Sequence, residues 1–256
     1  MKKNSLNYVF LILILLFNIK VFSQEIKDTA NNVVSQDTLK QAVFDTISSN
    51  KVQPSLTLES KPLYNPKLNN YKINRLYVKA NKNYENKKYE SALNDLNAAI
   101  QSQPTDSLML PVLYLLRGNI RVKEGNAGAA LEDYNNAIQL NSGFSIAYSN
   151  RGVAKHMSGN DTAAIADYTK AITINNSYAE AYYNRGISYF SIKNYDKAIF
   201  DFTKALEFKE GYIEALNNRA VARFHSGDIA GACDDLNKAV GLGDSDAIEL
   251  INDQCK

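Results

Sequence analysis

The 256-residue chain has no tryptophan, only two histidines and two cysteines, and only five prolines. Two His and two Cys, all far apart in sequence, are too little for a zinc site. No Cys precedes Cys233, so there is no lipid-attachment site near the N-terminus. Charge of one sign is also missing. The net charge is +2, and Lys2, Lys3 and Lys20 supply the excess, leaving 26 basic and 27 acidic residues beyond position 23. A nucleic-acid binder shows a basic domain or stripe, and this balance argues against one. The sequence holds no nucleophile–base motif, no Gly-rich phosphate loop and no clustered metal ligands, so neither an enzyme nor a cofactor is expected. Disorder throughout is excluded by what is present, 45% hydrophobic residues with 16 Tyr and 10 Phe.

The longest apolar run, Tyr8 to Phe17, has ten residues. As a helix it would cover about 15 Å, half of a hydrocarbon core of about 30 Å. It follows a cationic start, and Val21-Phe22-Ser23 offers a cleavage site before Gln24. Residues 1–23 therefore read as a signal peptide, with an uncleaved anchor as the alternative and the only membrane attachment expected. A cleaved product works outside the cytoplasm, in the periplasm or secreted. Residues 24–72 are rich in Ser, Thr, Asn, Gln, Asp and Lys, with Pro54, Pro62 and Pro66 and no apolar period. They read as a flexible tether.

From Ile73 the chain repeats itself. Alanine recurs at Ala92, Ala130, Ala164, Ala198 and Ala232, and again seven residues later at Ala99, Ala137, Ala171, Ala205 and Ala239. The spacing is 34 after a first step of 38. Small residues recur at Ala80, Gly118, Gly152, Gly186 and Ala220, with a large residue four places earlier at Leu76, Tyr114, Tyr148, Tyr182 and Leu216. A further series is Leu96, Tyr134, Tyr168, Phe202 and Leu236. Five units result, 73–106, 111–144, 145–178, 179–212 and 213–246, with residues 107–110 inserted after the first. Within a unit the apolar spacing is helical, in two blocks separated by a polar turn such as Lys193-Asn194. The small residue is expected to admit a close helix approach, with the aromatic four places before it filling the wedge. A hairpin of this kind cannot cover its apolar face alone, so neighbours must stack.

The unit beginning at Ala179, AEAYYNRGISYFSIKNYDKAIFDFTKALEFK, resembles the tetratricopeptide repeat family through Tyr182, Gly186 and Tyr189 and then Ala198, Phe202 and Ala205. The likeness covers residues 73–246. Departures are the closing Pro, present only as Pro104, and a basic residue in all five units where the family usually has leucine. The resemblance implies an all-α fold. It would be an α-solenoid, a right-handed superhelix of five hairpins, closed by a short C-terminal capping helix at 247–256 with Asp244 or Ser245 as N-cap. It further implies a non-catalytic scaffold that binds a protein or extended peptide on a concave face lined by the first helices. Positions matching that lining are Asn150, Asn184 and Asn218, an asparagine ladder for peptide backbone, with Asn119, Ser149, Tyr183, Phe190, Asn217 and Phe224 beside it. A carboxylate clamp of the chaperone-binding type does not fit, because its lysine places hold Ser149 or Tyr183 and Glu180 or Glu214. A structural or self-assembling role, through the convex face or the end of the array, is the rival reading.

The basic residues have a local explanation. Lys79, Arg117, Arg151, Arg185 and Arg219 each lie sixteen residues before Asp95, Asp133, Asp167, Asp201 and Asp235. A helix-to-helix ion pair in every unit is the first reading, and a basic ladder for an anionic ligand the second. Cys233 sits in an apolar slot and Cys255 past the cap. They read either as a staple for the last helix or as two free thiols.

Overall fold

The computed structural model describes residues 71–102, 109–248, 251 and 255, all within one compact unit of the chain. The expected signal peptide and nearly all of the expected tether lie outside them. Ten α-helices and no strand occur among the described residues. They pair as α1 (Tyr71–Glu85) with α2 (Tyr89–Gln101), α3 (Met109–Lys123) with α4 (Ala127–Leu140), α5 (Ser145–Met157) with α6 (Asp161–Ile174), α7 (Ala179–Ser191) with α8 (Tyr195–Phe208), and α9 (Ile213–Ser226) with α10 (Ile229–Gly241). Two boundaries differ from expectation. Helix α1 begins inside the expected tether. Met109 and Leu110, the last two inserted residues, join the first turn of α3 because Leu110 and Met109 pack on the first unit's core.

Each hairpin turn is written in its residues. Asn126, Asn160, Asn194 and Asp228 cap the second helices, their side chains accepting the N–H groups of Ala129, Ala163, Lys197 and Gly231. The residue before the cap is left-handed. Gly125, Gly159 and Gly227 take that conformation without strain, whereas Lys193 (φ 62°) and Lys87 (φ 58°) adopt it at a cost of about 1 kcal/mol each.

The core corrects one detail of the sequence reading. The ring beside each glycine comes from the second helix, not from the same helix four places earlier. A Cβ added at Gly118, Gly152 or Gly186 would lie 2.6 Å, 2.7 Å or 2.7 Å from the buried ring of Tyr134, Tyr168 or Phe202. Where the second helix supplies leucine instead, as at Leu96 and Leu236, the small residue is alanine, Ala80 and Ala220. Glycine and aromatic are thus two halves of one packing solution.

The second helices of the first four units also pack on the first helix of the following unit, and first helices touch first helices (α3 with α5, α5 with α7, α7 with α9). The main joint between units is thus second helix on first helix, with first helices also meeting along the array. At the C-terminal end Asp244 accepts the Asp246 N–H, and Ala247, Ile248 and Ile251 are helical. Ala247, Ile251 and Cys255 pack on the fifth unit's core, and Cys233 is bonded to Cys255. The remaining residues of the expected capping helix lie outside the described ones. No helix among the described residues is long and apolar enough to cross a membrane.

Candidate functional site: the faces of the first helices

Two rows of polar side chains run along the first helices. The outer row carries the repeated cations. Arg117, Arg151, Arg185 and Arg219 each donate to the aspartate of their own hairpin, Asp133, Asp167, Asp201 and Asp235, through Nε and Nη2 at 2.6 to 3.1 Å. Lys79 Nζ reaches Asp95 at 2.8 Å. Four of the aspartates, at 133, 167, 201 and 235, are at most 4% exposed, so a partner is obligatory. Second cations share three of them: Arg121 on Asp133, Lys155 on Asp167 and Arg223 on Asp235.

The third guanidinium nitrogen makes a contact the sequence reading missed. Arg117 Nη1 donates to Asn97, Arg151 to Asn135, Arg185 to Thr169 and Arg219 to Thr203, each on the second helix of the preceding unit. One arginine therefore ties two helices of its own unit to one of the previous unit. The signal was present as a column of Asn or Thr two residues after each aspartate. Arg117, Arg151 and Arg185 also sit 5.3 to 5.5 Å from the ring centres of Tyr114, Tyr148 and Tyr182. With its fork engaged on three sides, this row does not offer an anionic ligand an open guanidinium.

The inner row holds the residues of the expected ladder, most of them buried. Asn119, Ser149, Asn150, Tyr183, Asn184, Phe190 and Asn218 are buried, while Asn217 and Phe224 are half-buried. These side chains do not stand as an open, solvated row, because first helices approach one another closely enough to cover them. Amides so covered bond to each other. Asn150 Nδ2 donates to Asn119 Oδ1 at 2.8 Å, the same oxygen that accepts Tyr134 Oη at 2.9 Å. Asn218 Nδ2 donates to Tyr183 Oη at 2.8 Å, and Asn217 Nδ2 donates to Asp244. Phe224 packs on the fifth unit's core. Asn184 is buried at the matching place in the fourth unit. Four buried atoms of this row have no bonding partner: Ser149 Oγ, Asn150 Oδ1, Asn217 Oδ1 and Asn218 Oδ1.

Aromatic side chains flank the row in the fourth and fifth units. Tyr183 lies 4.9 Å from Tyr212 and 5.8 Å from Phe202, centre to centre, and Lys209 Nζ stands 4.1 Å from the centre of the Tyr212 ring. Burial pushes the Tyr183 and Tyr212 hydroxyls well above the ordinary tyrosine pKa. His225 meets Phe190 at 5.1 Å and Tyr195 at 4.8 Å. His156 Nδ1 lies 2.6 Å from Asp161 and 3.4 Å from Ser188 Oγ. Those three residue types are those of a hydrolytic triad, but acid and hydroxyl compete here for one ring nitrogen. A relay needs them on opposite nitrogens. No group of three or more potential metal ligands occurs among the described residues.

Comparison with known proteins agrees with this architecture. A tetratricopeptide repeat model matches residues 179–212, and a TPR repeat model matches residues 118–159 and 155–193. No curated protein matches at a significant level. Among solved structures, MamA is similar at 26% identity with a TM-score of 0.58, over 66% of this chain and 96% of that one. A tetratricopeptide repeat protein from Parabacteroides merdae is similar at 25% identity and a TM-score of 0.58, over 66% of each chain. YrrB, a TPR protein with an unusual peptide-binding site, shares the fold at 18% identity and a TM-score of 0.55, over 69% of this chain and 90% of that one. The recurring hairpins, their shared arginine joint and these matches together show an all-α helical array whose repeats are similar to tetratricopeptide repeats, matched by the family models over residues 118–212.

Proposed function

We propose that the chain is an exported scaffold that binds an extended peptide or another protein along the inner, first-helix face of the array. The observation that carries this reading is the set of unpartnered acceptors at Asn150, Asn217 and Asn218, together with the Ser149 hydroxyl. A buried polar atom without a partner costs roughly 1 to 3 kcal/mol. Backbone N–H groups of an extended segment are donors of the kind these oxygens lack, and bonding them recovers that cost when the first helices part far enough to admit the segment. Such recognition reads main chain rather than side chains, and the half-buried Phe224 adds apolar contact.

Export is supported by the cationic start and apolar run before Gln24, and by the Cys233–Cys255 bond, since disulfides persist in oxidising compartments. Mass spectrometry of the protein from its own cells should find an N-terminus at Gln24. An intact Met1 selects the uncleaved anchor instead, and two alkylatable thiols remove the export reading.

The binding reading is tested with peptides selected from a displayed library on the wild-type chain. The triple substitution Asn150→Ala, Asn184→Ala and Asn218→Ala should weaken them about tenfold or more while far-UV circular dichroism keeps its helical signal. Undiminished affinity refutes the inner-face site.

A further inference from the structure

We propose that the joint between the third and fourth units is the subsite of the inner face that takes the bound segment: α5 and α7 part there, and Ser149, Tyr168 and Asn184 hold one of its peptide groups. This rests on the inner-face reading and adds to it a place and a set of partners.

The repeat makes the joints comparable. Between the second and third units, Asn150 Nδ2 on α5 donates to Asn119 Oδ1 on α3 at 2.8 Å, and Tyr134 Oη donates to the same oxygen at 2.9 Å. Between the fourth and fifth units, Asn218 Nδ2 on α9 donates to Tyr183 Oη on α7 at 2.8 Å. Asn184 holds the equivalent place between the third and fourth units, thirty-four residues from both Asn150 and Asn218. Neither kind of partner is there to meet it. Val153 stands where the second unit has Asn119, and Ser149 stands where the fourth has Tyr183. Val153, Ser149 and Asn184 are all buried.

Two hydroxyls are stranded at the same joint. Tyr168 packs on Gly152 as Tyr134 packs on Gly118, with a Cβ at either glycine falling 2.7 or 2.6 Å from the ring. The Tyr168 hydroxyl is thereby carried towards Val153, as that of Tyr134 is carried to Asn119. Neither Tyr168 Oη nor Ser149 Oγ has a bonding partner, so neither bonds to Asn184. Ser188 Oγ on α7 does lie 3.4 Å from His156 Nδ1 on α5, but Asp161 Oδ1 lies 2.6 Å from that nitrogen. An ionised carboxylate only accepts, so the nitrogen carries the hydrogen and offers the serine hydroxyl no lone pair. The outer tie from Arg185 to Thr169 joins α7 to α6 and does not cross to α5.

Parting the first helices therefore breaks an amide or phenol bond at the joints on either side, and none of that kind here. An inserted peptide group also supplies what this joint lacks. Its N–H donates to Asn184 Oδ1 or Ser149 Oγ, and its C=O accepts from Tyr168 Oη or Asn184 Nδ2. The competing account is one ordered water that satisfies the same groups in the free chain and has no part in binding.

The peptides selected on the wild-type chain are the probes, and their affinities are measured on full-length variants. Tyr168→Phe should weaken them about fivefold, whereas Tyr134→Phe, whose hydroxyl is already bonded within the array, should bind as the wild type does. Val153→Asn supplies from inside the array the partner that Tyr168 and Asn184 lack, so it should weaken binding about tenfold. His156→Cys with Ser188→Cys, joined by a short thiol-to-thiol linker, ties α5 to α7 and should abolish the binding that the unlinked double variant retains. The chain's own cysteines are bonded to each other and do not compete. Circular dichroism checks that each variant keeps its helices. Wild-type affinity in both Tyr168→Phe and Val153→Asn, as the water account requires, overturns the subsite. So does an equal loss from Tyr134→Phe, or a linked chain that binds normally. If the triple asparagine substitution weakens binding while these variants do not, the subsite alone falls; if the triple substitution also leaves affinity intact, the inner-face reading falls with it.

Discussion

Two buried tyrosines at equivalent places should respond in opposite directions to loss of the hydroxyl. Tyr134 and Tyr168 lie thirty-four residues apart and are both fully buried against a glycine. Tyr134 Oη donates to Asn119 Oδ1 at 2.9 Å. The residue matching Asn119 in the next unit is Val153, itself fully buried, and Tyr168 Oη has no partner. Tyr134→Phe loses one hydrogen bond but strands no group, since Asn150 still donates to Asn119. Its expected cost is about 1 kcal/mol. Tyr168→Phe removes an unpaired buried hydroxyl and leaves a void of one oxygen. The recovered desolvation of roughly 1 to 3 kcal/mol exceeds the void's cost, so a gain of about 1 kcal/mol is expected. For a folded region of this size each kcal/mol moves the Tm by about 2 to 4 °C, so the variants should melt about 4 to 8 °C apart. Calorimetric scans of both with the wild type provide the measurement. A double-mutant cycle sharpens it, because Val153→Asn should cost less in the presence of the Tyr168 hydroxyl than in the Tyr168→Phe background. Equal shifts in the same direction, or a larger loss from Tyr168→Phe, would refute the reasoning.

Gly186→Ala should destabilise by about 1 to 3 kcal/mol, because its methyl would lie 2.7 Å from the Phe202 ring. Adding Phe202→Leu, the combination already present as Ala80–Leu96 and Ala220–Leu236, should recover most of the loss in chemical denaturation, and no recovery would remove the paired-packing account. Arg185→Ala leaves the Asp201 carboxylate buried and uncompensated, so a loss of about 3 kcal/mol is expected at neutral pH. Burial already raises the Asp201 pKa above its ordinary value against the pull of Arg185. Without that cation the rise is unopposed, and the penalty should shrink as pH falls towards the folded-state pKa and the carboxyl takes up a proton; a penalty constant from pH 7 to 4 would contradict this. Stability should fall as pH rises above 10. There the unfolded chain ionises tyrosines that the fold keeps neutral, Tyr84 with its pKa pushed up to about 12 by burial and Tyr89, and Tyr134, Tyr168, Tyr183 and Tyr212 raised by burial. Tyrosinate absorbance appearing fully before unfolding would contradict it.

Much of this fold is legible because a repeat states each rule several times. The hairpin boundaries follow from the alanine columns, and the five cation–aspartate spacings correspond to five close contacts in the structure. What escapes a reading along the chain is contact between units. The arginine-to-Asn/Thr joint spans twenty residues at Arg117 but sixteen at the other three, because residues 107–110 intervene at the first joint. The inner row was legible as polar residues at fixed register, but its burial was not. Exposure depends on how closely first helices approach, which the register of the asparagines along their own helix does not reveal. The glycine partners were misassigned for a similar reason, since a helical period reveals neighbours on one helix and says little about which ring crosses from the next.

The last joint of the array shows the same logic from the opposite side. Continuing the thirty-four-residue period past residue 246 makes Ala247 the first residue of a sixth unit, and the place of the joint arginine then falls on Asp253. The fifth unit's matching acceptor, Asn237, is exposed, with no guanidinium brought to it among the described residues. At this joint alone two half-cystines occur, Cys233 on α10 and Cys255 beyond it, and they are bonded. Closing a loop of 22 residues restricts the unfolded chain by about 3 kcal/mol. Among the described residues this joint lacks the guanidinium tie that serves the other joints. After the fifth unit the covalent bond supplies the constraint that arginine supplies between the earlier units.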